Sequence, residues 1–407
     1  MKSIVRNVSF LALSTLIEKV AVFFLYIYLG RILTPESYGY LSYILALSAY
    51  FSLMIDLGLP KLGIREVAAH PTLSLPLFRT VTALKLLLFF LVSGGWILFV
   101  LTQESGDRIA ALMMIGYFFA RAVDVQWLLQ ARQRFDTIAW LRVIKTLVLL
   151  TSLLLLFRLP QPWLYLLFYA LAALVPTLGY LYLRESALLE WSRIGTLLRR
   201  HLRRLRVLLW RSLPLAASSF LILMYYNLDT VLIRHMLGLE EVARYTAAYK
   251  LVFAFIVARN LLHSVIFPRI SRAKEEWREG GMLFLFSLGV VLLIVLVAGA
   301  YGREILELAY GEKYLSSERV FFILSLTAGV LWLNLFFPAY FIAVKKEYFY
   351  LKVQLSATAL NLLANLWMIP RYGIEGAAWA TLMADLLSLA IFGICYVRER
   401  HAGKGAE

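Results

Sequence analysis

Residues 81–101 read VTALKLLLFFLVSGGWILFVL, with Lys85 as the one charge. At 1.5 Å of rise per residue, a helix of this length crosses the roughly 30 Å hydrocarbon core of a bilayer. Outward from it the same texture recurs. Apolar runs of that order lie near 8–30, 38–59, 80–101, 109–130, 137–157, 163–183, 207–233, 243–267, 282–301, 320–343, 350–369 and 374–397. Of the 407 residues, 61% are hydrophobic and 16% charged. A soluble domain holds about 45–50% apolar residues. The pattern predicts an all-α polytopic membrane protein of about twelve transmembrane helices, and it excludes a disordered chain.

Loop charge tests that count. The formal net charge is +16. On a soluble domain this would point to nucleic acid, which is not expected here. With Met1 inside, the inner loops and tails between these spans carry twenty-three Lys and Arg and the outer ones eight. That asymmetry predicts both termini in the cytoplasm. The longest inner loop, Arg184–Arg206, is rich in arginine. It reads as an amphipathic connector on anionic headgroups. It divides the chain into a first lobe over 1–184, a basic connector over 185–206, a second lobe over 207–397 and a tail over 398–407. Each lobe holds six spans.

Several chemistries find no residues to carry them. The five histidines are not paired at ligand spacing, so no metal or other cofactor is expected. There is no phosphate-binding G-x-x-x-x-G-K-[ST] and no G-x-S-x-G nucleophile motif. Cys395 cannot form an intramolecular disulfide.

The halves repeat weakly. An offset of 204 aligns Leu33-Thr34-Pro35-Glu36-Ser37 with Leu237-Gly238-Leu239-Glu240-Glu241 and sets Asp56 against Asn260. An offset of 213 aligns Arg132-Gln133-Arg134-Phe135 with Lys345-Lys346-Glu347-Tyr348. Equal topology of the halves predicts two parallel repeats about an axis along the membrane normal.

Three motifs in order resemble a known family. They are Gly30-Arg31-Ile32-Leu33-Thr34-Pro35-Glu36-Ser37-Tyr38-Gly39-Tyr40 followed by Ile55-Asp56-Leu57-Gly58, then Tyr226-Asn227-Leu228-Asp229-Thr230 with Arg244-Tyr245-Thr246-Ala247-Ala248-Tyr249-Lys250, and last Tyr372-Gly373-Ile374-Glu375-Gly376-Ala377-Ala378. The chain resembles the polysaccharide-biosynthesis oligosaccharide flippases of the multidrug/oligosaccharidyl-lipid/polysaccharide exporter superfamily. The resemblance implies a V-shaped bundle of two six-helix lobes, with spans 1, 2, 7 and 8 lining the cavity. It further implies alternating access of a polyprenyl-(pyro)phosphate-linked oligosaccharide, without nucleotide, in a bacterial inner or archaeal cell membrane. The implied partners are that lipid substrate, membrane lipids and a polysaccharide polymerase or glycosyltransferase.

Charges inside the membrane are the candidate site. Each costs roughly 2.5–3.5 kcal/mol on insertion scales, so each should face a partner or water. Cations are needed to replace the hydration of a substrate phosphate. Lys19 and Lys250 are the first choices, with Arg259 and Arg121 behind them. Arg121 and Asp124, three apart, share a helix face and neutralise each other. Glu18 and Lys19 point about 100° apart, so each needs its own partner. Lys250 and Arg259 point to opposite faces, so at most one meets a cavity squarely. Lys85, Arg142, Lys145 and Arg211 read as snorkelling to headgroups. Asp229 reads as capping a turn or pairing with Arg234. Glu18, Asp56 and Asp385 are the candidates for proton or ion coupling.

The rival readings differ in charge. A cation-coupled multidrug exporter of the same superfamily would favour acids in its cavity. A glycosyltransferase or polymerase acting on the lipid carrier would need an outer catalytic cluster, and the outer loop Gly302–Arg319 holds no histidine. The expectation is a transporter and not an enzyme.

Overall fold

The computed structural model describes residues 2–103, 105–157, 159–179, 202–273 and 280–404. Every regular element among them is helical. In chain order the α-helices are α1 (Lys2–Ile32), α2 (Pro35–Asp56), α3 (Leu59–Ala69), α4 (Ser74–Leu101), α5 (Ser105–Ala122), α6 (Gln126–Ala131), α7 (Phe135–Leu156) and α8 (Pro162–Leu174). Then follow α9 (Leu202–Met236), α10 (Leu239–Ala273), α11 (Gly280–Tyr310), α12 (Glu318–Leu333), α13 (Phe337–Ala343) and α14 (Glu347–Lys404). The predicted connector lies outside the described residues as far as residue 201.

Ten helices among the described residues are long and apolar enough to cross a bilayer. The expected twelve are reached through two particular cases. The stretch Pro162–Leu178 is apolar but short, and its predicted span runs past the described residues. The last candidate, Glu347–Glu399, is 53 residues long. A straight helix of that length would measure about 80 Å, far more than a bilayer core. It instead reverses at Gly373, whose φ of 60° is open to glycine. A Cβ on Gly376 would collide with the Met368 carbonyl. Asn361 Nδ2 donates to Thr381 Oγ1 at 3.3 Å, although the two are 20 residues apart. The predicted spans 350–369 and 374–397 are thus two antiparallel arms of α14.

Local breaks depart from the predicted spans. After α2 the chain turns through Leu57 and Gly58, with φ of 39° and 73°. The short helix α3 follows, where the sequence reads as loop. It buries Leu59, Leu62, Gly63 and Val67 and exposes Lys61 and Arg65. The fourth span of each half is also interrupted, between α5 and α6 and between α12 and α13. In the second case Pro338 has no N–H to give the Asn334 carbonyl, and Leu335 N bonds Trp332 O at 3.1 Å instead of Leu331 O.

The repeat holds in the backbone. At an offset of 204, Leu33 N→Leu29 O (3.0 Å) matches Leu237 N→Ile233 O (2.8 Å). The bond Tyr38 N→Thr34 O (2.9 Å) likewise matches Val242 N→Gly238 O (3.4 Å). The ends of α6 and α13 are the same C-cap. Arg134 N→Leu129 O (2.9 Å) and Gln133 N→Gln130 O (3.0 Å) match Lys346 N→Phe341 O (2.8 Å) and Lys345 N→Ile342 O (3.1 Å). Gln133 and Lys345 both sit at positive φ, 56° and 61°. This register is an offset of 212 and not the 213 of the sequence match. Weak side-chain similarity misplaced it by one residue, and the left-handed caps fix it.

By contacts the chain forms two compact units, Met1–Leu25 with Ile44–Leu223, and Tyr26–Tyr43 with Met224–Glu407. The dividing lines pass through α1, α2 and α9. The first unit packs Leu59, Phe78, Leu84, Trp127 and Ile138 into one core. Gly58 lies against the Ser212 carbonyl, 2.6 Å from where a Cβ would stand. In the second unit the tip of the α1–α2 hairpin is clamped. Tyr38, Tyr310 and Tyr314 form a buried ring cluster, and a Cβ on Gly39 would fall on the Leu239 carbonyl oxygen. The motif glycine Gly39 thus serves the close approach of α2 to the start of α10.

Candidate functional site

Asp56 ends α2 and is the hub of the first unit. Lys85 Nζ from α4 lies 3.0 Å from its Oδ1, and the Arg121 guanidinium from α5 is hydrogen-bonded to its Oδ2. The Lys85 side chain is 1% exposed. It does not snorkel: Asp56 lies within reach inside the protein, and an ion pair there replaces the headgroup. Arg121 also faces Asp124 at 3.7 Å, but Asp56 is its closer partner. Asp124 accepts Gln126 N at 2.8 Å and so starts α6.

Glu18 on α1 is held by α7. Arg142 Nε lies 3.1 Å and Lys145 Nζ 3.0 Å from its carboxylate oxygens. Arg142 also donates to Thr15 Oγ1. Neither base snorkels, because Glu18 and Thr15, three apart on one helix face, offer acceptors at the same depth. Arg211, the fourth base read as snorkelling, bonds Glu66 at 2.8 Å. Lys19 stands apart. It is exposed and, among the described residues, makes no ion pair or hydrogen bond.

The second unit treats its acids differently. Asp229 on α9 is 6% exposed and neither caps a turn nor pairs with Arg234, which lies over the Tyr43 ring. Asp229 accepts hydrogen bonds from Tyr245 OH at 2.6 Å, Asn365 Nδ2 at 2.8 Å and Thr381 Oγ1 at 3.0 Å. Asp385, on the second arm of α14, accepts one from Tyr225 OH. All of these donors are neutral.

The basic candidates of this unit are also engaged. Lys250 Nζ lies 4.0 Å from the Tyr26 ring centroid, a cation–π contact. Arg259 donates to Leu331 O at 3.1 Å, Asn334 O at 3.3 Å and Asn260 Oδ1 at 3.0 Å. The first two carbonyls are those left open by the break before α13. Lys250 and Arg259 therefore face different neighbours, as the helix rotation between them requires.

Sequence reasoning missed the partners more than the charges. Tyr225 and Asp229, Tyr245 and Tyr249, Asn361 and Asn365, and Thr381 and Asp385 are each four apart on four spans. That spacing puts each pair on one helix face, and it was the available signal. Among the described residues, no three His, Cys, Asp or Glu side chains gather as a metal site.

Comparison with solved structures gives the fold. The chain is similar to a Lipid II flippase MurJ in an inward closed conformation, at a TM-score of 0.74 and 11% identity, over 95% of this chain and 87% of that one. It is similar to a multidrug resistance MATE family transporter of the MOP superfamily in an inward-facing conformation, at 0.68 and 13%, over 95% of each chain. An uncharacterized membrane protein of Methanocaldococcus jannaschii is 27% identical over 187 residues, which is 42% of this chain. The match spans about a third of that relative's length, 35%. The family model described as Polysaccharide biosynthesis protein matches residues 4–274, more than half of the chain. This multi-pass membrane protein belongs to the polysaccharide biosynthesis protein family.

Proposed function

We propose that the protein moves a polyprenyl-(pyro)phosphate-linked oligosaccharide across a plasma membrane by alternating access, with both termini in the cytoplasm. Lys19 carries this reading. It is an exposed cation in the middle of a span, with its neighbour Glu18 already neutralised by Arg142 and Lys145. A fixed charge at that depth is costly against lipid, so on this reading Lys19 faces a water-filled path. A lipid carrier's phosphate needs such a cation once it leaves the headgroup layer. Lys250, half-buried on α10, is the corresponding candidate cation of the second unit. Arg121 and Arg259 are the lesser candidates, already tied to Asp56 and to open carbonyls. Membership of a polysaccharide biosynthesis family and the fold shared with a lipid flippase support the same substrate class. Nothing in the mechanism asks for bond making; the chain binds, shields and releases.

The test is translocation in proteoliposomes. A fluorescent polyprenyl-pyrophosphate oligosaccharide is the probe, and its accessibility to a membrane-impermeant quencher is the readout. Wild-type protein should carry the probe between leaflets faster than empty liposomes do. Uptake of a cationic dye with no lipid movement would replace this reading by the multidrug exporter.

A further inference from the structure

Among the described residues, the acids in question are Glu18, Asp56, Asp124, Asp229 and Asp385. Four have their charge accounted for. Glu18, Asp56 and Asp124 each lie within 4 Å of a cation, at distances from 3.0 to 3.7 Å for the pairs with Lys145, Lys85 and Arg121. Asp229 has three donors on its two oxygens. Asp385 differs from all of these. It is 4% exposed, one oxygen accepts the Tyr225 hydroxyl, and the other, Oδ2, is buried with no hydrogen-bond partner. Tyr225 from α9 touches it, and Tyr226 from α9 and Tyr249 and Arg259 from α10 are near enough to interact with it electrostatically. Arg259 is the cation among them, and its guanidinium is committed to Leu331 O and Asn334 O.

A carboxylate buried with one neutral donor is costly to ionise, and a bound proton removes the charge. We propose that Asp385 is a proton-binding site of the transport cycle, carrying a proton in this arrangement of the helices and releasing it in another. The step is simple in chemical terms. The O–H bond of the carboxylic acid breaks, the proton leaves to water, and the carboxylate keeps the electron pair and the Tyr225 hydrogen bond. Arg259 is then the group placed to answer the new charge. Leaving the α12–α13 break to do so, it would free the two carbonyls that it caps. Glu18 and Asp56, neutralised by fixed bases, lack this freedom.

Two measurements on the full-length protein separate this site from the transport reading on which its role rests. The first needs no substrate. Infrared difference spectra between acid and alkaline pH, with the protein in lipid nanodiscs, should contain the carbonyl stretch of a protonated carboxylic acid. The band should vanish in Asp385→Asn and shift in frequency in Tyr225→Phe, which loses the hydrogen bond. A band unchanged in both variants, or no titrating band in wild type, overturns the proposal. The second imposes a pH gradient on proteoliposomes holding the fluorescent pyrophosphate probe. The wild-type rate should respond to the gradient, and Asp385→Asn should lose that response. A response that survives in Asp385→Asn overturns the role in the cycle. If wild-type protein moves no probe at all, the transport reading fails, and the infrared band still decides the proton site.

Discussion

The two units solve one problem in two ways. In the first, three intramembrane acids meet bases: Glu18 meets Arg142 and Lys145, Asp56 meets Lys85 and Arg121, and Asp124 meets Arg121. In the second, Asp229 and Asp385 meet hydroxyls and amides. The backbone repeat makes the contrast sharper. Asp56 at the end of α2 corresponds to Asn260 in α10, and beside Asn260 stands Arg259. In the first half the cation sits on the fourth span and reaches an acid on the second. In the second half the cation sits on the second span and reaches open carbonyls on the fourth. The same pair of spans is tied in both halves, with the polarity of the tie exchanged. Ion pairs of fixed charge suit struts that hold one geometry. Carboxylates held by neutral donors keep the option of changing charge.

Substitution of the two hubs should break this comparison where it is strongest. In Asp56→Asn, Lys85 and Arg121 lose their shared counter-charge inside the protein. Stability should fall by about 3–5 kcal/mol, read by thermal unfolding in detergent. Asp229→Asn removes a charge but strands only neutral donors, and should cost less, about 1–3 kcal/mol in the same assay. Equal losses would mean that the two kinds of site are energetically alike. The smallest effect should be shared by the halves. Gln133→Gly and Lys345→Gly relieve a left-handed residue in the same cap, and each should stabilise by about 1 kcal/mol. A gain at one site and a loss at the other would break the equivalence of the two caps.

Much of the architecture was legible. Apolar length alone predicts the spans, because a bilayer imposes about 20 residues on each helix. The α14 reversal was visible too, since two runs separated by Pro370 and Gly373 cannot be one straight crossing. The breaks within the fourth spans were not, because no polar run marks them; at α13 the sign was a single proline. The intramembrane charges are plain in the sequence, but apart from Arg121 with Asp124 their partners are not. Glu18 and Lys145 are 127 residues apart, and Asp229 and Asn365 are 136. Such pairings are set by which helices are neighbours, and hydropathy does not carry that. Lys85 reads as a snorkelling base until α2 is seen to end beside it with Asp56.

The central claim is that a cation on α1 receives the phosphate of a lipid-linked glycan. The most direct measurement is the translocation rate of the fluorescent polyprenyl-pyrophosphate oligosaccharide by Lys19→Ala and Lys19→Arg beside wild type, in proteoliposomes with matched protein insertion. Loss of one charge-assisted contact is worth about 1.4–2.8 kcal/mol, so Lys19→Ala should be about 10–100-fold slower, and Lys19→Arg should recover most of the rate. Lys19→Ala moving the probe at the wild-type rate would contradict the account.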